Sequence, residues 1–101
     1  MVTLSRYATI NGNENAQKAQ EWAKKVAHYV DGKFGFSKVR VGMEVYGSVG
    51  RIYWIGEQDS LESLARGAQE SLADAGYLQM LTQATGLFVP GSVKDTVILG
   101  F

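Results

Sequence analysis

The segment from Val39 to Glu57 contains the feature that most constrains the fold, an alternating stretch interrupted by glycines. Apolar residues occupy every second position from 39 to 45, and this period of two predicts a half-buried strand. Residues 47–50, Gly-Ser-Val-Gly, allow the positive φ angles that tight turns need. Residues 51–57 then resume with β-branched and aromatic side chains. The segment therefore predicts a β-hairpin.

The hairpin register follows from which side chains must share a face. A turn of even length puts the apolar side chains of both strands on one face, whereas a one-residue slip would mix apolar and polar residues. The pairs predicted in the even register are Val45 with Ile52, Met43 with Trp54, Val41 with Gly56, Glu44 with Tyr53 and Arg40 with Glu57. The hairpin is thus expected to have one apolar face and one charged, aromatic face.

The remaining segments predict two more strands and the helices that cover the sheet. A first strand spans residues 2–10, a helix 14–31, a second helix 59–72 with a short extra helix at 77–84, and a last strand 96–101. Right-handed crossovers place both main helices on one face of a four-stranded antiparallel sheet. The predicted fold class is α+β, a ferredoxin-like β-α-β-β-α-β arrangement in one domain covering residues 1–101.

Composition excludes several classes of function. The chain has no cysteine, which excludes disulfides and thiolate metal sites, and its formal charge is zero with no extended basic cluster to bind nucleic acid. No apolar run is long enough to cross a membrane, and the N-terminus shows no signal peptide, so we predict a cytoplasmic protein. No metal site and no cofactor is predicted.

The face of the sheet without helices is predicted to carry tyrosines and charges. Antiparallel sheets can leave such a face in solvent, but apolar and aromatic side chains in one patch usually indicate a partner. A second copy of the chain is the predicted partner, giving a homodimer. The residues assigned to the dimer face are Tyr7, Arg40, Glu44, Tyr46, Tyr53 and Ile55.

The order of elements, the extra short helix and the segment GYLQMLTQATGLFVPGS (76–92) resemble the dimeric α+β barrel superfamily. That superfamily includes the antibiotic-biosynthesis monooxygenases, the EthD-like proteins and the NIPSNAP-like proteins. The resemblance implies a homodimer with sheets face to face and often a pocket between each sheet and its own helices. It does not imply one chemistry, because members of the superfamily differ in reaction.

Arg6 is the candidate binding residue, because it interrupts the otherwise apolar side of the first strand. An arginine near Trp54 on the helix side could hold a carboxylate or phenolate in a small-molecule pocket. The alternative is an arginine that reaches the sheet edge or pairs with a helix carboxylate. The residues assigned to this pocket are Arg6, Met43, Trp54, Tyr77 and Met80.

The other polar residues show no catalytic constellation. The single histidine, His28, is predicted on the solvated side of the first helix, and no Ser-His-Asp set is readable. In the resembling monooxygenases an asparagine-type residue on the first strand and a pocket tryptophan are common; Trp54 matches the tryptophan and Arg6 replaces the asparagine. Three hypotheses stay open: a binder of a small, partly apolar organic molecule, a cofactor-independent oxygenase or isomerase of an aromatic substrate, and a self-association module.

Overall fold

The computed structural model describes all residues from 1 to 101 and confirms the predicted fold class. The strands are β1 (Val2–Thr9), β2 (Ser37–Met43), β3 (Arg51–Gln58) and β4 (Lys94–Leu99), and the helices are α1 (Ala16–Val30), α2 (Leu61–Leu72) and α3 (Ala75–Gln83). A short 3₁₀ turn, Asn13–Asn15, precedes α1. The four strands form one antiparallel sheet in the order β2-β3-β1-β4.

The predicted pairs of the hairpin are wrong by two residues, although the faces are correct. Val41 lies opposite Trp54 and Met43 opposite Ile52. A shift of two residues preserves the side on which each side chain points, so hydrophobic patterning cannot detect it. The turn is also longer than predicted, because β2 ends at Met43 and Val45 lies in the connecting loop with 72% of its surface exposed.

The buried core is small. Its one cluster consists of Ala19, Ala23, Ile52 and Leu87, whereas Val2 is buried at the opposite end of β1. Alanines on the inner face of α1 let this helix lie close to the sheet, and its backbone approaches β2 and β3. Only 11 of the 101 residues are buried, so much of the space between helices and sheet is not filled by side chains.

The far edge of the sheet lacks this close cover. Every residue of β4 is exposed. Helix α2 packs against the loop between α1 and β2, where Gly67 lies against the backbone carbonyl of Phe34. The helices approach β2 and β3 more closely than β1 and β4, and the candidate site lies between them and the sheet.

Candidate functional site

A cavity of about 670 Å³ lies between the sheet and the three helices. Its volume is within the roughly 300–1,000 Å³ typical of small-molecule pockets. All layers of the fold contribute to its mostly apolar wall, for example Leu4, Val26, Leu64, Phe88 and Val97. The cavity is thus a large apolar space inside a domain with a small core.

Two tryptophans form one wall of the cavity. The indole rings of Trp22 and Trp54 meet edge to face, with centroids 5.9 Å apart, and both pack against Phe88. Their N–H groups are already used, because Trp22 Nε1 donates to the carbonyl oxygen of Met80 (2.7 Å) and Trp54 Nε1 to that of Ala23 (3.1 Å). The wall therefore offers aromatic surface and no free indole donor.

Arg6 and Asp95 are the only charged side chains that line the cavity. They lie opposite each other on the paired strands β1 and β4. Arg6 Nε donates to Asp95 Oδ1 at 2.7 Å and Nη2 donates to Oδ2 at 2.9 Å, a parallel two-bond arrangement of the strong, charge-assisted kind. The hydrogen bond to Asp95 raises the pKa of Arg6 against the opposing effect of burial, and neighbouring Tyr77 adds to the rise.

Helix α3 brings Tyr77 to the cavity and is fixed by Asp74 at its start. The Asp74 carboxylate accepts the backbone N–H of Tyr77 at 2.8 Å, which is an N-cap, and the hydroxyl of Tyr29 at 2.6 Å. These two donors hold the pKa of Asp74 below its usual value, the Tyr29 hydroxyl having the larger effect. A carboxylate thus connects α1 to α3 and sets the position of Tyr77.

Three of the five residues assigned to the pocket come together, and two lie elsewhere. Arg6, Trp54 and Tyr77 line the cavity. Met43 packs against the buried core, and Met80 contributes its backbone carbonyl to Trp22 but does not line the cavity. That these residues bind a ligand stays a prediction.

Sequence reasoning missed Asp95, Trp22 and Phe88. Asp95 was missed because the last strand was predicted to begin at residue 96, and the only carboxylate of the chain considered as a partner for Arg6 was one on a helix. A signal for it was present: Asp95 alternates with Val97 and Leu99, and an arginine on an apolar strand face requires a counter-charge.

The face of the sheet opposite the helices carries a cluster of aromatic and charged side chains. The rings of Tyr7 and Tyr53 lie 5.2 Å apart, and the Arg51 guanidinium stands 4.3 Å from the Tyr7 ring centroid. The Tyr53 hydroxyl donates to Glu44 Oε1 at 2.8 Å, and this bond lowers the pKa of Glu44 and raises the pKa of Tyr53. We call this surface the open face.

Most of the predicted dimer face lies on the open face, with one exception. Arg40 and Ile55 are paired residues of β2 and β3 there, and Arg40 Nη1 lies 3.9 Å from Glu57 Oε2. Tyr46 was assigned to a strand, but it lies in the loop between β2 and β3 with 89% of its surface exposed. The loop begins at Glu44, whose carboxylate accepts the Ser48 N–H at 2.6 Å.

Other kinds of site are not apparent. His28 is exposed on α1, as predicted. No three histidine, aspartate or glutamate side chains are grouped so that they could hold a metal ion. None of the helices has the length and apolar character needed to traverse a lipid bilayer.

Comparison with known proteins identifies the fold. No family model and no curated protein matches the sequence. A protein from Deinococcus radiodurans assigned as an antibiotic biosynthesis monooxygenase is similar in structure, with a TM-score of 0.76, 17% identity and coverage of 100% of this chain and 93% of its own. A variant of SnoaB, a cofactor-independent oxygenase from Streptomyces nogalater, has a TM-score of 0.69 and 16% identity, covering 98% of this chain and 91% of its own.

An uncharacterised NIPSNAP domain protein from Burkholderia xenovorans has a TM-score of 0.75 at 10% identity, covering 100% of this chain and 95% of its own. Matches that span whole chains at such low identity concern architecture, because one fold hosts many functions. The chain therefore has the ferredoxin-like α+β fold shared by the antibiotic biosynthesis monooxygenases, SnoaB and the NIPSNAP domain proteins.

Proposed function

We propose that the protein binds a small, partly apolar organic molecule in the cavity between its sheet and its helices. The observation that carries this proposal is the cavity itself, about 670 Å³ with an aromatic wall and one ion pair. An apolar pocket with a few convergent polar groups is the usual form of a small-molecule site. Arg6, Trp54 and Tyr77 are the residues that we expect to contact the ligand.

The cavity is partly open to solvent, so water can fill it when no ligand is bound. Release of that water from a mostly apolar wall favours an apolar ligand, by roughly 25 cal/mol per Å² of apolar surface buried.

A neutral apolar dye tests the proposal directly. Nile red should bind with increased fluorescence, and the Ala68→Phe protein should bind it at least tenfold more weakly, since the new ring enters the cavity from α2. Ala65→Phe is the matched control, because Ala65 is exposed on the same helix but does not line the cavity. Equal binding by both variants, or no binding by the wild-type protein, would refute the proposal.

We further infer that two copies of the chain associate through the open face. Support comes from the Tyr7–Tyr53 pair and from Ile98 of β4, which is paired with Thr3 on the same side and 55% exposed. Exposed aromatic and apolar side chains on one uncovered face of a sheet often mark an interaction site. The charged groups on this face, Arg51 above Tyr7 included, would be buried together with partners already in place.

Light scattering coupled to size-exclusion chromatography tests the dimer. The wild-type protein should elute as a dimer at micromolar concentration, and Tyr53→Glu should dissociate it, because the new carboxylate would lie beside Glu44. Tyr46→Glu introduces the same charge in the exposed loop and should leave the dimer intact. A stable wild-type monomer would contradict the inference, and dissociation by Tyr46→Glu alone would move the interface to the loop.

A second candidate function is cofactor-independent oxygenation or isomerisation of an aromatic substrate in the same cavity. The likeness to SnoaB over the whole chain favours it. An oxygenase without a cofactor takes its electrons from the substrate, so a CH₂ group becomes C=O while O₂ supplies one oxygen atom to the product and one to water. Oxygen uptake with anthrone that is lost in folded Arg6→Gln and Trp54→Phe proteins would support this function, whereas binding without uptake would exclude it for that substrate.

A further inference from the structure

The ion pair on the cavity wall determines the charge that the cavity accepts. Arg6 and Asp95 carry opposite charges, and no other charged side chain lines the space. The cavity therefore has a formal charge of zero. An ionised ligand that enters an apolar site loses its hydration and needs a counter-charge there, and without one the cost is several kcal/mol.

The geometry shows why Arg6 is not that counter-charge for an anion. Its Nε and Nη2 edge is the edge that binds a carboxylate in a parallel fork, and both of its hydrogen bonds go to Asp95, at 2.7 and 2.9 Å. Asp95 is held in this place by the strand register, which sets it directly opposite Arg6. An incoming carboxylate would have to compete with Asp95 for this edge, and it would lie beside the negative charge of Asp95, which repels it.

Resting on the small-molecule function proposed above, we propose that the cavity is selective for uncharged organic molecules, and that Asp95 is the specificity residue that excludes anions by occupying Arg6. The class of ligand is an apolar or aromatic molecule with a neutral oxygen, such as a phenol, alcohol or ketone. This class also fits the remaining polar groups, because a guanidinium has five N–H donors and Asp95 uses two. Tyr77 lines the same cavity and carries a hydroxyl group.

Isothermal titration calorimetry with two matched probes tests the selectivity. At pH 7, 2-naphthol is neutral and 2-naphthoate is an anion of similar size. Since hydrogen bonds to charged groups and unpaired charges each change affinity by about tenfold or more, the wild-type protein should bind 2-naphthol at least about tenfold more tightly than 2-naphthoate. In Asp95→Asn, Arg6 becomes an uncompensated cation, and 2-naphthoate should gain at least about tenfold while 2-naphthol changes less than about threefold.

Asp59→Asn is the matched control, because it removes the same charge at an exposed position outside the cavity. It should leave the preference for 2-naphthol unchanged. The reciprocal variant Arg6→Gln leaves Asp95 alone in the cavity, so 2-naphthylmethylammonium should gain at least about tenfold over its binding to the wild-type protein. Circular dichroism establishes that each variant is folded, and the wild-type comparison and Arg6→Gln test the selectivity if Asp95→Asn does not fold.

The outcomes separate the selectivity from the proposed function. Equal wild-type affinity for 2-naphthol and 2-naphthoate, or an unchanged ratio in folded Asp95→Asn, would overturn the role of Asp95 and leave small-molecule binding intact. No binding of any probe to the wild-type protein or to the variants would overturn the proposed function together with the selectivity that depends on it.

Discussion

Replacing Trp22 by phenylalanine should loosen helix α3 at its C-terminal end, since the Tyr29–Asp74 hydrogen bond still holds its start. Trp22 is half-buried on α1, and its indole Nε1 donates to the carbonyl oxygen of Met80 at 2.7 Å. Met80 lies in the last turn of α3, where carbonyl groups run out of helical partners. The amide of Ala84, which would normally bond to Met80, bonds to Leu81 instead. The indole is therefore a side-chain partner for a helix end and a tie between two helices.

The magnitude follows from the two interactions that the substitution removes. A carbonyl left without its donor costs about 1–3 kcal/mol. Phenylalanine also buries less apolar surface than tryptophan. Each fully buried CH₂ equivalent contributes about 0.8 kcal/mol, and we take about half of this value because the side chain is half-buried. Trp22→Phe should thus destabilise the protein by about 2–3 kcal/mol, which lowers Tm by about 8–24 °C for a domain of this size.

Hydrogen exchange shows whether the loss is local to α3. Backbone amides of residues 75–83 should lose protection in Trp22→Phe while the amides of β1 and β3 keep theirs, since structural units can open separately. Trp54→Phe is the matched control, because its Nε1 bonds to Ala23 in the middle of α1 and not to α3. Unchanged protection of α3, or the same loss in Trp54→Phe, would refute the assignment of Trp22 as the tie.

Three further predictions concern other parts of the structure. Gly67→Ala should destabilise the protein, because the new methyl group would meet the backbone carbonyl of Phe34. This clash must outweigh the better helix propensity of alanine, worth about 1 kcal/mol. Urea unfolding measures the change in stability, and a gain would contradict the close approach. Tyr29→Phe should reduce the free energy of unfolding at pH 7, because it removes the hydroxyl that donates to Asp74. The lowered pKa of Asp74 contributes stability that is present above the pKa of the unfolded state and is lost as the pH falls through the pKa of the folded state. The difference between the variant and the wild-type protein should therefore shrink below about pH 4. A difference that grows in acid would contradict it. Ile52→Ala should cost about 2–5 kcal/mol, seen as a lower urea midpoint, because Ile52 is only 2% exposed in the core; a cost below about 1 kcal/mol would contradict that position.

The sequence predicted which face each strand residue occupies but not the pairing between strands. Alternation of apolar and polar residues constrains register only to odd or even, so a shift of two residues in the hairpin went undetected. In the structure, the carboxylate of Glu44 accepts hydrogen bonds from the Ser48 amide and the Tyr53 hydroxyl. These bonds stabilise a loop that is longer than the predicted turn. These bonds depend on three-dimensional position, and no periodicity in the sequence encodes them.

The candidate site was predicted in part for a similar reason. Arg6 could be recognised because it breaks a local pattern on one strand, and Trp54 and Tyr77 because the fold puts them on the same side. Asp95 is 89 residues away along the chain, and its pairing with Arg6 depends on the register of β4 against β1. Local patterns identify a residue that needs a partner, whereas only the assembled sheet identifies the partner.

The positions of the core and the cavity also determine how stability and binding are related. The packed residues Ala19, Ala23 and Ile52 lie where α1 approaches β2 and β3. Arg6 and Asp95 pair on the neighbouring strands β1 and β4, where Arg6 lies opposite Trp54, but neither charged side chain belongs to the buried core. Substitutions of the ion pair should therefore change the charge selectivity of the cavity with little effect on the core, since both side chains keep about 40% of their surface accessible and breaking such a pair costs far less than breaking a buried one. The charge preference of this fold can then be altered by substitution without loss of the folded state.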